Sequence, residues 1–278
     1  MLPNDNARSG AAAAEMAGRN TLSTRHLIDL IVALALRDVS TRYKHSFLGL
    51  YWALINPLLT ALIFAFVFGG ILKVPLADNV PYPVFLVVNL TLWSFFANSL
   101  TSATTSVVSN APLLAKIYFP RLILPTAAVV ARLVDFAFSA AAAGLFMLVY
   151  KVPIGWALPA VLLPLMVVSI LAFGCGYLLA ASQVLYRDTG QIIGVLLMLW
   201  MYVSPVMYAT SALPKGVDMV VRLNPVAEIL EFAQSVVLMH TFPAPTGWML
   251  YSFGVAVVVF VVGVTVFRKV ENVFGEIL

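Results

Sequence analysis

Charge is scarce in this chain of 278 residues. Asp, Glu, Lys and Arg together make up 10% of it, against roughly 25% in soluble domains, whereas 62% of the chain is hydrophobic. The mean hydropathy is +0.99. These values exclude a soluble globular domain and predict a polytopic membrane protein. The net charge of +4 does not indicate nucleic-acid binding, because cytoplasmic loops of membrane proteins carry an excess of Lys and Arg.

Residues that carry enzymatic chemistry are also few. Cys175, the one cysteine, lies in an apolar run and cannot form an intramolecular disulfide, so it is interpreted as a packing residue. His26, His45 and His240 are far apart along the chain, and no metal site is predicted. The chain has no GxxxxGK[ST] phosphate loop, so it is not expected to bind ATP by that route. No cofactor and no catalytic residue are expected; an interfacial membrane enzyme is the weaker alternative.

The N-terminal region contains no long apolar core. Residues 1–23 are therefore not a secretory signal peptide and are predicted to be a disordered cytoplasmic segment. Residues 24–47 are predicted to form an amphipathic helix in the membrane surface. Its apolar face is formed by Leu27, Ile31, Leu34 and Ala35, and its basic residues are Arg25, Arg37, Arg42 and Lys44. The pattern fits an anchoring helix and equally one that also contacts a cytoplasmic partner.

The rest of the chain is predicted to be all α-helical, with a transmembrane domain over residues 48–270. Six spans are expected, at about residues 49–72, 82–109, 122–150, 157–184, 192–208 and 248–267. The first would extend about 36 Å, which is enough to cross a bilayer. Residues 210–247 are predicted to form two short re-entrant helices on the outer side, because their apolar run is too short to cross and return. Residues 271–278 form the C-terminal tail.

The distribution of basic residues predicts the orientation. With six spans, both termini, the connection at 110–125 and the connection at 185–191 lie on one side. Eleven of the sixteen Lys and Arg residues fall on that side and four on the other, with Arg132 inside a span. The positive-inside rule places both termini and both connections in the cytoplasm.

Two spans carry polar groups that need a partner. The second contains a stripe of hydroxyl and amide residues spaced three or four apart: Ser94, Asn98, Ser102, Thr105 and Ser109. Such a face either hydrogen-bonds to other helices or lines a hydrated path. The third contains Arg132 and Asp135, which share one face at i, i+3. An unpaired charge there costs at least ~2.5 kcal/mol, so a buried ion pair is predicted. A proton relay is the alternative.

The two cytoplasmic connections are compact and charged. The first, NAPLLAKIYFPRLILP at residues 110–125, is broken by three prolines and carries Lys116, Tyr118 and Arg121. The second, LYRDTGQ at residues 185–191, carries Arg187 and Asp188. We name them the first and second elbows. A short basic elbow suits contact with a partner outside the membrane, although anchoring to the membrane surface is the alternative.

Five segments, in this order, resemble the membrane subunit of type-2 ABC exporters of lipid-linked polysaccharides such as O-antigen, capsule or teichoic acid. They are residues 37–59 (RDVSTRYKHSFLGLYWALINPLL), the two elbows, SPVMY at 204–208 and LNPVAEILEF at 223–232. The similarity covers nearly everything after about residue 25. One departure is Gln234, where many relatives are expected to carry an arginine.

The resemblance implies a homodimer in the bacterial inner membrane, driven by two separate ATPase subunits that bind ATP and Mg. Its substrate would be a lipid-linked polysaccharide, membrane lipids would surround it, and no nucleic acid is expected. The implied ATPase-coupling residues are Arg37, Asp38, Arg42, Tyr43, Lys116, Tyr118, Arg121, Arg187 and Asp188. The implied substrate path contains Trp52, Phe64, Trp93, Phe96, Asn98, Ser102, Trp200, Tyr202 and Tyr208. The implied outer gate contains Asn224, Pro225, Glu228 and Glu231.

Other functions remain open at the level of sequence. Within the same architecture the chain would export drugs or small lipids. In a different class, a secondary transporter would use Arg132 and Asp135 with an ion gradient. For any single aromatic residue of the implied path, lipid contact or packing is the simpler alternative.

Overall fold

The computed structural model describes residues 24–44, 51–71, 80–114, 119–214, 216–243 and 247–274. These residues form helices and turns, with no strand among them. The helices are α1 (Thr24–Tyr43), α2 (Trp52–Phe64, continued as a π-helix over Ala65–Ile71), α3 (Tyr82–Ser109), the single turn α4 (Ala111–Leu114), α5 (Ile123–Val149), α6 (Leu162–Leu185, preceded by a 3₁₀ turn at Leu158–Val161), α7 (Thr189–Val203), a 3₁₀ turn at Thr210–Ala212, α8 (Val217–Arg222), α9 (Pro225–Val237) and α10 (Gly247–Val270).

Within the described residues, five helical segments are long and apolar enough to cross a membrane. They are Leu54–Ile71, Tyr82–Ser109, Ile123–Val149, Leu158–Leu185 and Gly247–Val270. The all-helical, multi-pass architecture is thereby confirmed, whereas a count of six spans is not.

The predicted fifth span, residues 192–208, has different bounds in the structure. Helix α7 begins at Thr189 and ends at Val203, so it has 15 residues and a length of about 22 Å. It ends there because Ser204 precedes Pro205 and adopts an extended conformation, with ψ at 147°. The predicted helix is therefore wrong at its C-terminal end.

Helix α3 is the centre of the bundle. It packs against α5 and α6 along its length and against α2, α7 and α9 over shorter stretches. Of its most apolar window, 78% is buried, compared with 6% for α2. The larger cluster of the core contains Phe85, Leu86 and Phe96 of α3 and Leu230 of α9. A second cluster lies at the other end, where Leu34, Val107, Tyr177 and Phe267 meet.

Helices α6 and α10 cross at two glycines. A Cβ on Gly263 would overlap the backbone of Gly174, and a Cβ on Gly174 would lie 2.6 Å from Cα of Phe260. Gly176 is close to Ala103 of α3, whose Cβ lies 2.9 Å from an added Cβ. Small residues at these positions allow the helices to pack closely.

The segment before the last span contains the two short helices that the sequence predicts, α8 and α9. Pro225 occupies the first turn of α9, and the side chain of Asn224 caps it by accepting a hydrogen bond of 3.1 Å from the amide of Val226. Helix α9 packs against α3, α6 and α10. Its re-entry into a bilayer stays a prediction.

Some predictions lie outside the described residues. These are the N-terminal segment 1–23, the end of the surface helix at 45–47, the first residues of the first span, Lys116 and Tyr118 of the first elbow, and residues 275–278 of the tail.

Candidate functional site

Helix α1 docks onto the bundle by the face that the periodicity predicts. Leu34 and Ala35 are buried, and Leu27, Leu30 and Ile31 pack against the cluster that includes α3, α5 and α6. The helix also has a second apolar face, which is separate from the predicted one. Ile28, Val32 and Leu36 are spaced four apart and remain 54%, 46% and 61% exposed. Helix α1 therefore contacts protein on one side and offers an apolar surface on another, as a helix in the membrane interface does.

The C-terminal end of α1 reaches the charged residues of α5. Arg132 and Asp135 are 2.9 Å apart, and Arg42 forms a second ion pair with the same carboxylate. Tyr43 donates a hydrogen bond of 2.7 Å to Oδ1 of Asp135. Arg132 also donates to the hydroxyl of Ser102 in α3, with Nε 2.8 Å from Oγ. Three helices are thus joined through one carboxylate and one guanidinium.

The ion pair is partly rather than fully buried. The side chains of Arg132 and Asp135 keep 19% and 16% of their exposure. Arg132 and Asp135 thus lie together, as their spacing predicts. The surface helix adds two further partners of Asp135, Arg42 and Tyr43, from 93 and 92 positions away. No periodicity within either segment signals this contact.

Burial and the hydrogen bond to Asp135 raise the pKa of Tyr43 to about 12, with burial the larger cause. The phenol therefore remains protonated throughout the physiological range. It can donate to Asp135 under all of those conditions.

Two further residues of the implied coupling set also lie on α1. Arg37 is exposed and donates to the side-chain oxygen of Asn110 at the start of the first elbow. Asp38 lies 3.3 Å from Arg42, at i, i+4. The structure thus brings Arg37, Asp38, Arg42 and Tyr43 together, and connects them to α3 and α5.

The first elbow is held by the C-terminal end of the chain. Arg121 donates to the backbone carbonyl of Glu271, and its guanidinium lies 5.8 Å from the centre of the Phe274 ring. Phe119 and Phe274 are buried. Burial raises the pKa of Glu271, against the opposing influence of Arg121 and Arg268. Arg121 therefore has a packing role that the sequence did not indicate.

The second elbow is more accessible. Leu185, Tyr186, Arg187 and Asp188 are all exposed. Two contacts keep the elbow compact: Gln183 donates to the carbonyl of Arg187 at 2.9 Å, and the buried Thr189 lies 3.0 Å from the hydroxyl of Ser182. An exposed, rigid turn with an arginine, an aspartate and a tyrosine is suited to contact another protein.

Two aromatic residues of the implied path lie in the core. Trp93 and Phe96 are 4% and 0% exposed. Their rings lie 6.4 Å and 5.3 Å from that of Trp200, both edge to face, and this packing holds α7 against α3. Trp93 and Phe96 thus do not lie at an open surface in this structure, and their place in a substrate path stays a prediction. Core packing and the lining of a substrate path both use large aromatic side chains, so the sequence alone does not distinguish these two roles.

The other residues of the implied path lie closer to the surface. Trp52 and Tyr202 are 38% and 50% exposed, whereas Phe64 is half-buried against Phe68. Tyr208 is half-buried and donates to the carbonyl of Val203 at 2.9 Å. Tyr202 and Tyr208 are neighbours, with the hydroxyl of Tyr208 3.4 Å from the carbonyl oxygen of Tyr202, whereas Trp52 and Phe64 lie on α2. No hydrogen bond or ring contact among the described residues joins the two pairs.

The predicted polar stripe of α3 lies on the part of the helix that no other described helix covers, whereas most of α3 is buried. Asn98, Thr101, Thr105 and Ser109 are exposed, and Ser94 and Ser102 are half-buried. The exposed side chains of α2 and α7, in contrast, are mostly apolar. A single copy of the chain therefore leaves a polar strip on its most buried helix uncovered, and such a strip is unfavourable against lipid.

The residues of the implied outer gate make two sets of polar contacts. Arg222 lies 3.1 Å from Glu228 and 3.0 Å from Glu231. Asn224 accepts a hydrogen bond of 3.0 Å from the indole of Trp200 and donates one of 2.8 Å to Ser204. Pro225 begins α9. The contacts of Asn224 hold the start of α9 against the end of α7.

Gln234, which stands where an arginine is expected in many relatives, has a local structural role. Gln234 is 7% exposed and donates a hydrogen bond of 3.0 Å to the side chain of Asn89 in α3. Asn89 in turn donates to the carbonyl of Val206 at 3.3 Å. A neutral amide therefore satisfies this buried position without a charge.

The bundle of long apolar helices, together with the surface helix and the two elbows, defines a multi-pass membrane protein. Comparison with known proteins identifies the family. The ABC-2 type transporter family matches residues 29–238, and the chain belongs to this family.

Individual relatives are similar over nearly the whole chain. An O-antigen export system permease protein RfbA from Klebsiella pneumoniae is 29% identical over 257 residues, which cover 91% of this chain and 96% of the relative. A protein of the same name from Myxococcus xanthus is 30% identical over 256 residues, covering 89% of this chain and 94% of the relative.

Proposed function

We propose that this chain is the permease subunit of an ATP-driven exporter of a lipid-linked, O-antigen-like polysaccharide. The observation that carries the proposal is the similarity to permeases named for O-antigen export, which extends over 94–96% of the length of the two relatives described above. Transfer would proceed from the cytoplasmic leaflet of the bacterial inner membrane, with both termini and both elbows in the cytoplasm. The excess of basic residues on that side supports the orientation.

The energy would come from a separate ATPase subunit, which would bind ATP and Mg. The surface that supports this contact is the second elbow together with exposed residues of α1. Arg187 and Asp188 protrude beside Leu185 and Tyr186, and Arg37 lies on the accessible side of α1. A force on α1 would be transmitted to α5, because Arg42 and Tyr43 both bind Asp135.

A homodimer would provide a path that the single chain lacks. The strip formed by Asn98, Thr101, Thr105 and Ser109 is polar, although the rest of α3 is mostly covered. A hydrated passage between two copies would satisfy these groups, and hydroxyl and amide side chains can hydrogen-bond to sugar hydroxyls. The outer network of Arg222, Glu228 and Glu231 lies on the opposite side of the protein from the elbows, where it would act as a gate.

Gene deletion followed by analysis of surface glycan tests the proposal. The expected result is loss of the polysaccharide from the cell surface with accumulation of the lipid-linked polymer inside. Restoration by the intact gene is the control for effects on neighbouring genes. Normal surface glycan in the deletion strain would instead favour export of a drug or small lipid.

A further inference from the structure

A cavity of about 240 Å³ lies between α1, α3 and α5, at the end of the bundle that carries the elbows. Its polar lining includes Arg37, Asp38, Arg42, Ser102, Asn110 and Arg132. Its walls therefore carry three guanidinium groups and one carboxylate. The remaining polar lining consists of hydroxyls and one amide, and the apolar lining of small and aliphatic side chains.

The positive charge of the cavity is only partly compensated. Asp135 pairs with both Arg42 and Arg132, and Asp38 is near Arg42, so two carboxylates serve three guanidinium groups. Among the described residues, the side chain of Arg37 donates to a neutral partner, the amide oxygen of Asn110. In addition, Nε of Arg42 is buried with no hydrogen-bond partner among the described residues. The cavity retains unused donor capacity and an excess of one positive charge.

These properties select the chemistry of a ligand. Guanidinium groups bind phosphate oxygens through paired, charge-assisted hydrogen bonds, which makes a phosphate the preferred anion. The part of the lining that the structure describes contains no aromatic side chain on which a nucleotide base could stack. A cavity of about 240 Å³ is large enough for a phosphate or diphosphate and too small for a polymer.

The position of the cavity indicates that the phosphate belongs to a lipid. Leu34, Leu124 and Ala128 form an apolar wall beside the arginines. The exposed apolar face of α1, with Ile28 and Leu36, places this helix at the level of the lipid headgroups. A ligand with an anionic head and an apolar tail matches both parts of this environment.

We propose that this cavity binds the phosphate monoester or diphosphate headgroup of a membrane lipid at the cytoplasmic surface. That the lipid is the carrier of the exported polysaccharide rests on the proposed function. The ion pairs of Asp135 then hold two of the three guanidinium groups in position for the headgroup.

Binding to the purified full-length chain in detergent tests the proposal directly. Undecaprenyl diphosphate, phosphatidylglycerol and inorganic diphosphate are titrated separately, and bound ligand is measured by native mass spectrometry. We expect undecaprenyl diphosphate to bind at least about tenfold more tightly than phosphatidylglycerol, a phosphodiester with fewer charged oxygens. Equal affinities for the two lipids would overturn the proposal. Binding of inorganic diphosphate without the lipid diphosphate would assign the cavity to a free anion and overturn the lipid assignment.

Variants locate the site. Arg37→Gln removes an exposed guanidinium whose loss leaves no buried charge, and we expect it to weaken lipid diphosphate binding about tenfold. Arg25→Gln, on the same helix and outside the cavity, is the matched control and should bind normally. The double variant Arg42→Gln/Asp135→Asn removes one guanidinium while keeping the cluster balanced, and it should also bind more weakly. Unchanged affinity in both cavity variants would overturn the proposal.

The binding experiment and the deletion experiment can refute the lipid site and the proposed function separately. Lipid diphosphate binding in a protein whose deletion leaves surface glycan normal would keep the site and refute polysaccharide export. Loss of export on deletion, combined with no diphosphate binding by the purified chain, would refute the site alone.

Discussion

Arg42 and Asp135 form an ion pair that fastens the surface helix α1 to the membrane helix α5. The same carboxylate accepts hydrogen bonds from Tyr43 and Arg132. Arg42 and Tyr43, which the resemblance implies for coupling, therefore form one structural unit with the predicted ion pair of α5. Any displacement of the end of α1 changes the environment of the only described carboxylate within α5.

Asp135→Asn should destabilise the protein by about 2 kcal/mol. The substitution leaves the guanidinium groups of Arg42 and Arg132 close together without their shared counter-charge. The effect is smaller than for a fully buried pair, because the side chains keep 16–20% of their exposure. Thermal unfolding in detergent measures the change.

A double-mutant cycle separates this ion pair from general damage to α5. Arg42→Gln combined with Asp135→Asn should lose less stability than the sum of the single changes. Asp29→Asn, on the exposed part of α1, is the matched control and should be neutral. Additive losses in the cycle would show that Arg42 and Asp135 are not energetically coupled.

The stabilising contact of Tyr43 should disappear at alkaline pH. The pKa of its phenol rises from 10.0 when free to about 12 in the folded protein. A raised pKa means that the folded state favours the protonated phenol, so the contribution is complete below about pH 10 and is lost as the pH rises through about 12. Tyr43→Phe should therefore lower stability by about 1 kcal/mol at neutral pH, and the difference from wild type should shrink toward pH 12.

Tyr186→Phe is the control for the pH experiment, because the Tyr186 side chain is 68% exposed in the second elbow. It should show no loss of stability at neutral pH. A constant difference between wild type and Tyr43→Phe from pH 7 to pH 12 would contradict a role for the phenolic proton.

Gly263→Ala should destabilise the contact between α6 and α10. The added methyl group would overlap the backbone of Gly174, and relieving the overlap requires the two helices to separate. Overpacking of this kind costs about 1–3 kcal/mol. Gly254→Ala is a matched control in the same helix, since a Cβ there meets no atom within 4 Å. Equal melting temperatures for the two variants would show that the crossing is not tightly packed.

The long helices and their packing face could be predicted from sequence, because period and length determine them locally. The end of α7 at Val203 was also encoded locally, by Pro205, but the apolar and aromatic residues beyond it suggested a longer span. The positions of Trp93 and Phe96 could not be predicted in the same way. A large aromatic ring on an amphipathic helix serves packing or a path equally well, and only the tertiary structure reveals the contact with Trp200.

In the candidate site, too, local features could be predicted from sequence and tertiary contacts could not. Its members on α1 were identified one by one, and Arg132 with Asp135 were identified as a pair. Their union was not predictable, because it depends on a contact across 93 positions. The role of Gln234 was likewise invisible until α9 was placed beside Asn89 of α3.

Arg187→Glu should weaken coupling to the proposed ATPase without affecting folding. The side chain lies on the exposed second elbow, so charge reversal changes the contact surface alone. Arg121→Glu is less specific, because Arg121 also binds the carbonyl of Glu271 and stacks on Phe274. Co-purified ATPase activity should fall in Arg187→Glu and remain normal in Arg25→Glu. Equal ATPase activity and export in wild type and Arg187→Glu would remove the second elbow from the coupling surface.

Transport in reconstituted vesicles tests the central claim most directly. The chain is co-purified with its ATPase, reconstituted with a fluorescent lipid-linked polysaccharide, and assayed for transfer of the polymer across the bilayer. The account predicts transfer that requires ATP and Mg and is unaffected by a protonophore. Transfer that proceeds without ATP and is abolished by the protonophore would contradict it.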